Sequence, residues 1–165
     1  MGKVYRLYSR QLVPARLEEV WAFFSNAKNL LAVTPPQLNL KVTNEVYGQS
    51  VYAGQVMTYN VTPLLGIPLG WMTEITHVHP PHYFVDEQRK GPYKIWHHEH
   101  HFNELEGGVE MIDLVHYRLP LGFLGNIANS LLVKKELEKI FTYRYAKIEE
   151  LFGNREGGRM ELQIN

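Results

Sequence analysis

The sequence has no cysteine, which excludes disulfides and thiolate chemistry. Charge of neither sign predominates, with 17 Lys and Arg against 17 Asp and Glu. That balance gives no electrostatic footprint for nucleic acid or an anionic membrane. No apolar run approaches the roughly 18–20 residues of a membrane span. The first residues, MGKVYRLYSRQLV, alternate and lack a hydrophobic signal core, so a cytoplasmic location is expected. Phosphate-cradling loops are missing too, because GFLGN (122–126) has neither the lysine nor the context, and there is no Ser-centred nucleophile elbow.

What is present suits one packed domain. The 165 residues are 45% hydrophobic and 12% aromatic, enough for a single core. A domain over residues 1–153 and a polar tail over 154–165, either loose or an edge addition, are expected. VYRLYSRQL (4–12) alternates as a strand does. Pro14 fits a helix start, and ARLEEVWAFF sets Leu17, Val20, Trp21 and Phe24 on one stripe. A second short helix, AKNLLAV, ends at TPP, since the residue before proline avoids helical geometry. Six strand-like stretches follow between about residues 38 and 119, with turns at Gly48, Leu65-Gly66, Gly91-Pro92 and Gly107-Gly108. From about Leu124 to Phe152 apolar residues recur at three- and four-residue steps, and Gly153 can cap that helix. Strand, two short helices, six strands and a long helix imply an α+β fold. The expected form is a seven-stranded curved antiparallel sheet wrapped around a long C-terminal helix, with internal space between them.

All eight histidines fall between His77 and His116. Four of them crowd into IWHHEHHF (95–102). His77, His79 and His82 surround Pro80-Pro81 and read as surface.

NLLAVTPP (29–36), FVDEQRKGPYKIWHHEHHF (84–102), DLVHYRLPLGFLG (113–125) and LEKIFTYR (137–144), taken with this element order, resemble the START-like, or SRPBCC, helix-grip superfamily, which includes the birch-pollen-allergen-like proteins. The likeness covers about residues 3–152. Within the superfamily the chain is similar to bacterial ligand-binding and cyclase-like proteins, whose Trp-x-His-x-His-x-Phe pattern is matched by Trp96, His98, His100 and Phe102. The resemblance implies the helix-grip fold. On activity it leaves several classes open, because members bind lipids, sterols, hormones or polyketides and only some catalyse.

Strand parity sharpens the histidine stretch. Side chains alternate between faces, so Trp96, His98, His100 and Phe102 share one face, and Tyr93, Ile95, His97, Glu99 and His101 share the other. The face with Trp96 and Phe102 carries the largest hydrophobes and belongs inward. On the flanking strands the same parity turns Asp86, Gln88, Asp113 and Tyr117 inward. Buried carboxylates need partners, and a His–Asp hydrogen bond across strands would satisfy both groups.

Three chemistries compete for these residues. A metal can be held by His97, Glu99 and His101, or by His98 and His100 with Asp113, since histidines two apart on a strand stand about 6.5–7 Å apart at the backbone and can converge on zinc. An acid–base site would use His98 or His100 with Asp113 or Asp86 as orienting partner. A polar anchor inside an apolar pocket needs neither. A polar outer face and a buried hydrogen-bonded network are the commoner outcomes of such patterns, so no metal and no cofactor is expected.

The reading that follows is a binder of a small hydrophobic ligand, lipid or polyketide-like, between sheet and helix. Its candidate catalytic residues are His98, His100 and Asp113. Its candidate ligand contacts are Trp96, Phe102, Asp86, Gln88, Tyr117, Trp71, Tyr59, Phe123, Ile127 and Leu131. A cyclase- or dehydratase-type enzyme with a cavity histidine as general base is the first alternative. A co-chaperone-like interaction module is the second.

Overall fold

The structure is a computed structural model, and it describes residues 2–44, 50–64, 66–120, 132–154 and 158–165. Strand β1 (Tyr5–Val13) leads into helix α1 (Leu17–Phe24), two 3-10 helices (Ala27–Val33 and Pro36–Leu38) and strand β2 (Lys41–Val42). Strands β3 (Val56–Leu64), β4 (Ile67–His79), β5 (Tyr83–Lys90), β6 (Ile95–Leu105) and β7 (Gly108–Arg118) follow. Helix α2 (Lys134–Phe152) and strand β8 (Glu161–Ile164) complete the chain. The strands form one open antiparallel sheet in the order β2-β3-β4-β5-β6-β7-β1-β8.

The expected α+β architecture with a long C-terminal helix is present, but the sheet has eight strands rather than seven. The eighth comes from the tail. β1 would otherwise end the sheet with unpaired backbone groups, a position that recruits any available segment. Residues 161–164 pair with Leu7–Arg10 of β1 and bury Ile164 to 6% exposure. Expectation and structure differ also at β2, where the described pairing covers only Lys41 and Val42.

The alternation seen in the sequence governs the packing. In β1 Tyr5, Leu7, Ser9, Gln11 and Val13 are buried, and in β7 Val109, Met111, Asp113, Val115 and Tyr117. These inward faces support two apolar clusters. One gathers Trp21, Phe84, Phe102 and Ile148 beneath α1. The other gathers Tyr5, Tyr117, Leu137 and Phe141 beneath the first half of α2. Helix α1 starts where the Glu19 carboxylate accepts from the Arg16 backbone N–H at 3.3 Å, closing one of the free donors of a helix N-terminus. The β6–β7 turn needs glycine at 108, because φ is +153° and a Cβ there would collide with the Val13 carbonyl. Helix α2 is tied to the sheet by Gln11, whose side-chain amide donates to the Tyr145 carbonyl at 3.0 Å. Its buried residues, Leu137, Phe141, Arg144 and Ile148, fall at steps of four, three and four, one helical stripe.

Candidate functional site

Strand β6 places its two inward histidines between two carboxylates. In the β5–β6 register His98 lies opposite Asp86, and in the β6–β7 register His100 lies opposite Asp113. The hydrogen bonds run diagonally to these pairs. His98 Nε2 is 3.0 Å from Asp113 Oδ1 and His100 Nε2 is 2.9 Å from Asp86 Oδ2, both with hydrogen-bond geometry. His98 Nδ1 lies farther from Asp86 Oδ2, at 3.5 Å. His100 Nδ1 lies 2.9 Å from Asp113 Oδ1 but out of line for a hydrogen bond. The two rings lie with centroids 3.7 Å apart and planes inclined at 37°, and Phe84 stacks on His100 at 4.2 Å.

Arg144, from α2, completes the cluster. Its Nη2 donates to Asp113 Oδ1 at 3.3 Å, and its Nε stands 3.2 Å from Oδ2. The guanidinium also lies over the Phe24 ring at 5.2 Å, an attractive arrangement for a cation. Asp113 is 1% exposed, and His98, His100 and Arg144 are 7–8% exposed. Charges so buried persist only with partners.

Protonation follows from these contacts. Burial pushes the Asp113 carboxyl up, but Arg144 and the two imidazoles outweigh it and hold Asp113 well below the usual carboxylate range. Asp86 is likewise held low, burial being outweighed by the His100 hydrogen bond and the nearby imidazoles. His100 is shifted up, because its two carboxylate partners overcome its burial. His98 is shifted down by burial and by its neighbour His100. Of the two rings between the carboxylates, His100 therefore holds a second proton more tightly than His98. When His98 is neutral its proton belongs on Nε2, toward the nearer oxygen.

Four members of the cluster, Asp86, His98, His100 and Arg144, line a cavity of ≈ 230 Å³. Its sheet wall includes Tyr59, Trp71, Ile75, Phe84 and Trp96; the 3-10 helices add Leu30, Val33 and Leu38; α2 adds Leu137, Phe141 and Arg144. Asp86, His98 and His100 are polar members of an otherwise largely apolar lining. The Trp71 indole N–H is buried with no acceptor among the described residues. Burial pushes the Tyr59 and Tyr93 phenols up, so both remain protonated.

Of the residues expected at the site, the structure brings His98, His100, Asp86, Trp96, Trp71 and Tyr59 to the cavity wall. Asp113 is not on the cavity wall, though its partners His98, His100 and Arg144 are. Phe102, at 0% exposure, packs against Trp21, Phe24 and Phe84 instead. Gln88 closes the β5–β6 turn, donating to the Tyr93 carbonyl at 2.6 Å and accepting from the Tyr93 N–H at 3.2 Å. Tyr117 is fully buried against Tyr5, Tyr93 and Trp96. Phe123, Ile127 and Leu131 lie outside the described residues.

The sequence reading leaves out most of the apolar wall and, more tellingly, Tyr93 and Arg144. Parity puts Tyr93 on the outer face, but β6 begins at Ile95, so alternation does not extend back through Lys94 to Tyr93; its ring lines the cavity beside Trp71 and Trp96. Arg144 was passed over because only apolar residues were traced along α2. Its signal was a cation on the 137/141/144/148 stripe.

No protein-family model matches the chain, and no curated protein matches it. Solved structures do. CV1439 from Chromobacterium violaceum is 10% identical with a TM-score of 0.68, covering 91% of this chain and 99% of that one. Ms6760 from Mycobacterium smegmatis is 18% identical with a TM-score of 0.63, over 88% and 89%. The di-domain ARO/CYC BexL from the BE-7585A biosynthetic pathway is 15% identical with a TM-score of 0.67, over 92% of this chain and 51% of that one. At these identities the likeness is one of fold. It is consistent with a helix-grip-like arrangement of sheet and long C-terminal helix. No helix among the described residues is long and apolar enough to cross a membrane.

Proposed function

We propose that the protein binds a small hydrophobic or amphipathic molecule, lipid- or polyketide-like, with its apolar body along the aromatic wall and a polar group at the His98/His100/Asp86 cluster. The observation that carries this reading is the juxtaposition of a largely apolar cavity with a buried, mostly self-paired polar cluster in its wall. Binding sites of this kind combine apolar walls with a few convergent polar groups, over about 300–1,000 Å³. At ≈ 230 Å³ the cavity favours a compact ligand. The unused Trp71 N–H supports a ligand with a hydrogen-bond acceptor. Among bacterial START-like proteins we place the chain with the ligand-binding and cyclase-like kind, which the fold shared with the ARO/CYC protein BexL supports.

A second reading, a cyclase- or dehydratase-type enzyme, has one observation in its favour. His98 Nδ1 is the cluster nitrogen with the longest carboxylate contact, 3.5 Å, on a ring that lines the cavity. A general base needs such a nitrogen within reach of substrate.

Thermal melting against a panel of fatty acids, aromatic acids and polyketide-like phenols tests the binding reading. Ligand at about a hundred times its Kd stabilises the fold by about 2.7 kcal/mol, which raises the melting temperature by several degrees. A panel in which no compound shifts melting contradicts the reading. Turnover of any panel member that disappears in His98→Ala, with the fold retained, selects the second.

A further inference from the structure

The cluster is more ordered than a polar anchor requires. A single oxygen, Asp113 Oδ1, lies 3.0 Å from His98 Nε2 and 2.9 Å from His100 Nδ1. A carboxylate oxygen that close repels a nitrogen lone pair and so favours the protonated nitrogen of each ring. Asp113 thereby sets the tautomer of His98, with which it has hydrogen-bond geometry, and biases that of His100 by proximity alone. The nitrogens left over, His98 Nδ1 and His100 Nε2, face one other oxygen, Asp86 Oδ2, at 3.5 and 2.9 Å. One donor atom from each of Asp86, His98 and His100 lies within 4.8 Å of the other two.

We propose that Asp86, His98 and His100 bind one divalent transition-metal ion of the zinc type at the cavity wall. Bonds of 2.0–2.1 Å place neighbouring ligands of a tetrahedral zinc about 3.3 Å apart. The 3.5 and 2.9 Å separations seen here bracket that value. Metal-bound histidines as a rule donate their second ring N–H to a carboxylate. Asp113 takes that role for His98, while His100 Nδ1 stands 2.9 Å from the same oxygen out of hydrogen-bond line, and Asp113 is itself held by Arg144. Two imidazoles and a carboxylate suit zinc or iron(II) rather than calcium or magnesium. They also leave a coordination position for an exogenous ligand. All three residues line the cavity, so that ligand would be an oxygen donor such as a carboxylate or an enolate. In the metal-free chain a proton bridges His100 Nε2 and Asp86 Oδ2, and the cation takes its place. Strand parity alone favoured a metal-free network, because it does not show that one Asp86 oxygen faces a nitrogen of each ring. This inference goes beyond the binding of an apolar molecule and does not depend on it.

The test uses tag-free full-length protein, stripped with a chelator and titrated with Co²⁺ and then Zn²⁺. One equivalent of Co²⁺ is expected to give the intense visible absorption of a four- or five-coordinate site, and Zn²⁺ to displace it. Asp86→Asn, nearly identical in shape, should weaken binding at least tenfold, and Asp113→Asn by about 10–100-fold, with circular dichroism confirming the fold. His97→Ala/His101→Ala, on the outer face, should leave affinity unchanged. If the cluster variants do not fold, elemental analysis of wild-type and outer-face variant protein decides, with about one equivalent of zinc or iron expected in each. Wild-type protein that gives no such absorption and carries no stoichiometric metal overturns the proposal, as does binding lost in the outer-face variant and kept in Asp86→Asn. Melting of the stripped protein with apolar ligands tests the cavity separately.

Discussion

The His98 and His100 rings lie 3.7 Å apart, centroid to centroid, with their planes inclined at 37°, on the inward face of one strand. Two imidazolium ions could not share that space without strong repulsion, and the two carboxylates beside them require a positive charge nearby. The opposite shifts of the two rings, His100 up and His98 down, and the Arg144 guanidinium against Asp113 accord with both demands. Arg144 therefore links the long helix to the sheet through the least exposed charge of the cluster.

Removing that link should be costly. Arg144→Leu leaves Asp113 buried at 1% exposure without its cation, and breaking such a pair costs about 3–5 kcal/mol. Asp113→Asn in the same background should recover part of the loss, giving a non-additive double-mutant cycle. Urea denaturation of the four proteins measures it. A single-variant loss below about 1 kcal/mol, or strict additivity, would contradict the coupling.

Phe102 should behave as core rather than as a ligand contact. It is 0% exposed and packs against Trp21, Phe24 and Phe84. Phe102→Ala should cost about 3–5 kcal/mol. At a temperature where the variant stays folded, affinity for a cavity ligand should change less than twofold. A large affinity loss with little loss of stability would reverse that assignment.

Acid should weaken the outer side of the sheet through Glu110. The hydrogen bond from Arg10 holds the Glu110 carboxyl below its usual value. A carboxyl depressed in the folded state contributes its stabilisation above the unfolded value, about 4.3, and loses it as pH falls through the folded value. Glu110→Gln should therefore be the less stable protein near neutral pH, by up to about 1 kcal/mol, and the difference should vanish in acid. Melting temperatures of the two proteins from about pH 7 to pH 3 check the sign. A difference that grows on acidification would contradict it.

Truncation after Gly153 should expose the β1 edge that β8 covers. Unpaired edges favour association with other chains. The truncated protein is expected to melt lower and to form larger species at high concentration, measurable by light scattering. A monomer with unchanged melting would show that β8 adds nothing to the fold.

Much of this arrangement was legible in the sequence, and the misses share a cause. Alternation through Trp96 and Phe102 puts His98 and His100 on the inner face, where both are buried, because parity in a strand buried on one side is a local property. Parity failed at Tyr93, just before β6 begins, since it holds only within a strand. Whether an inward residue reaches the cavity depends on what packs over it: Trp96 does, while Phe102, three pairs along, is covered by α1. Strand β8 carries little apolar signal of its own, because its pairing depends on the free edge of β1, about 150 residues away. The diagonal His–Asp contacts require the register of three strands at once.

The most direct measurement of the central claim, that the space under α2 receives a ligand, is a titration of the metal-free protein with compact aromatic and medium-chain carboxylic acids. It is followed by tryptophan emission, because Trp71 and Trp96 stand in the cavity wall. The account predicts saturable one-to-one binding by at least one of these acids. It also predicts that Ala27→Leu, which adds bulk to the opposite wall, weakens that binding at least tenfold in a folded protein. Emission that shows no saturable change with any of the acids, or binding untouched by Ala27→Leu, would contradict it.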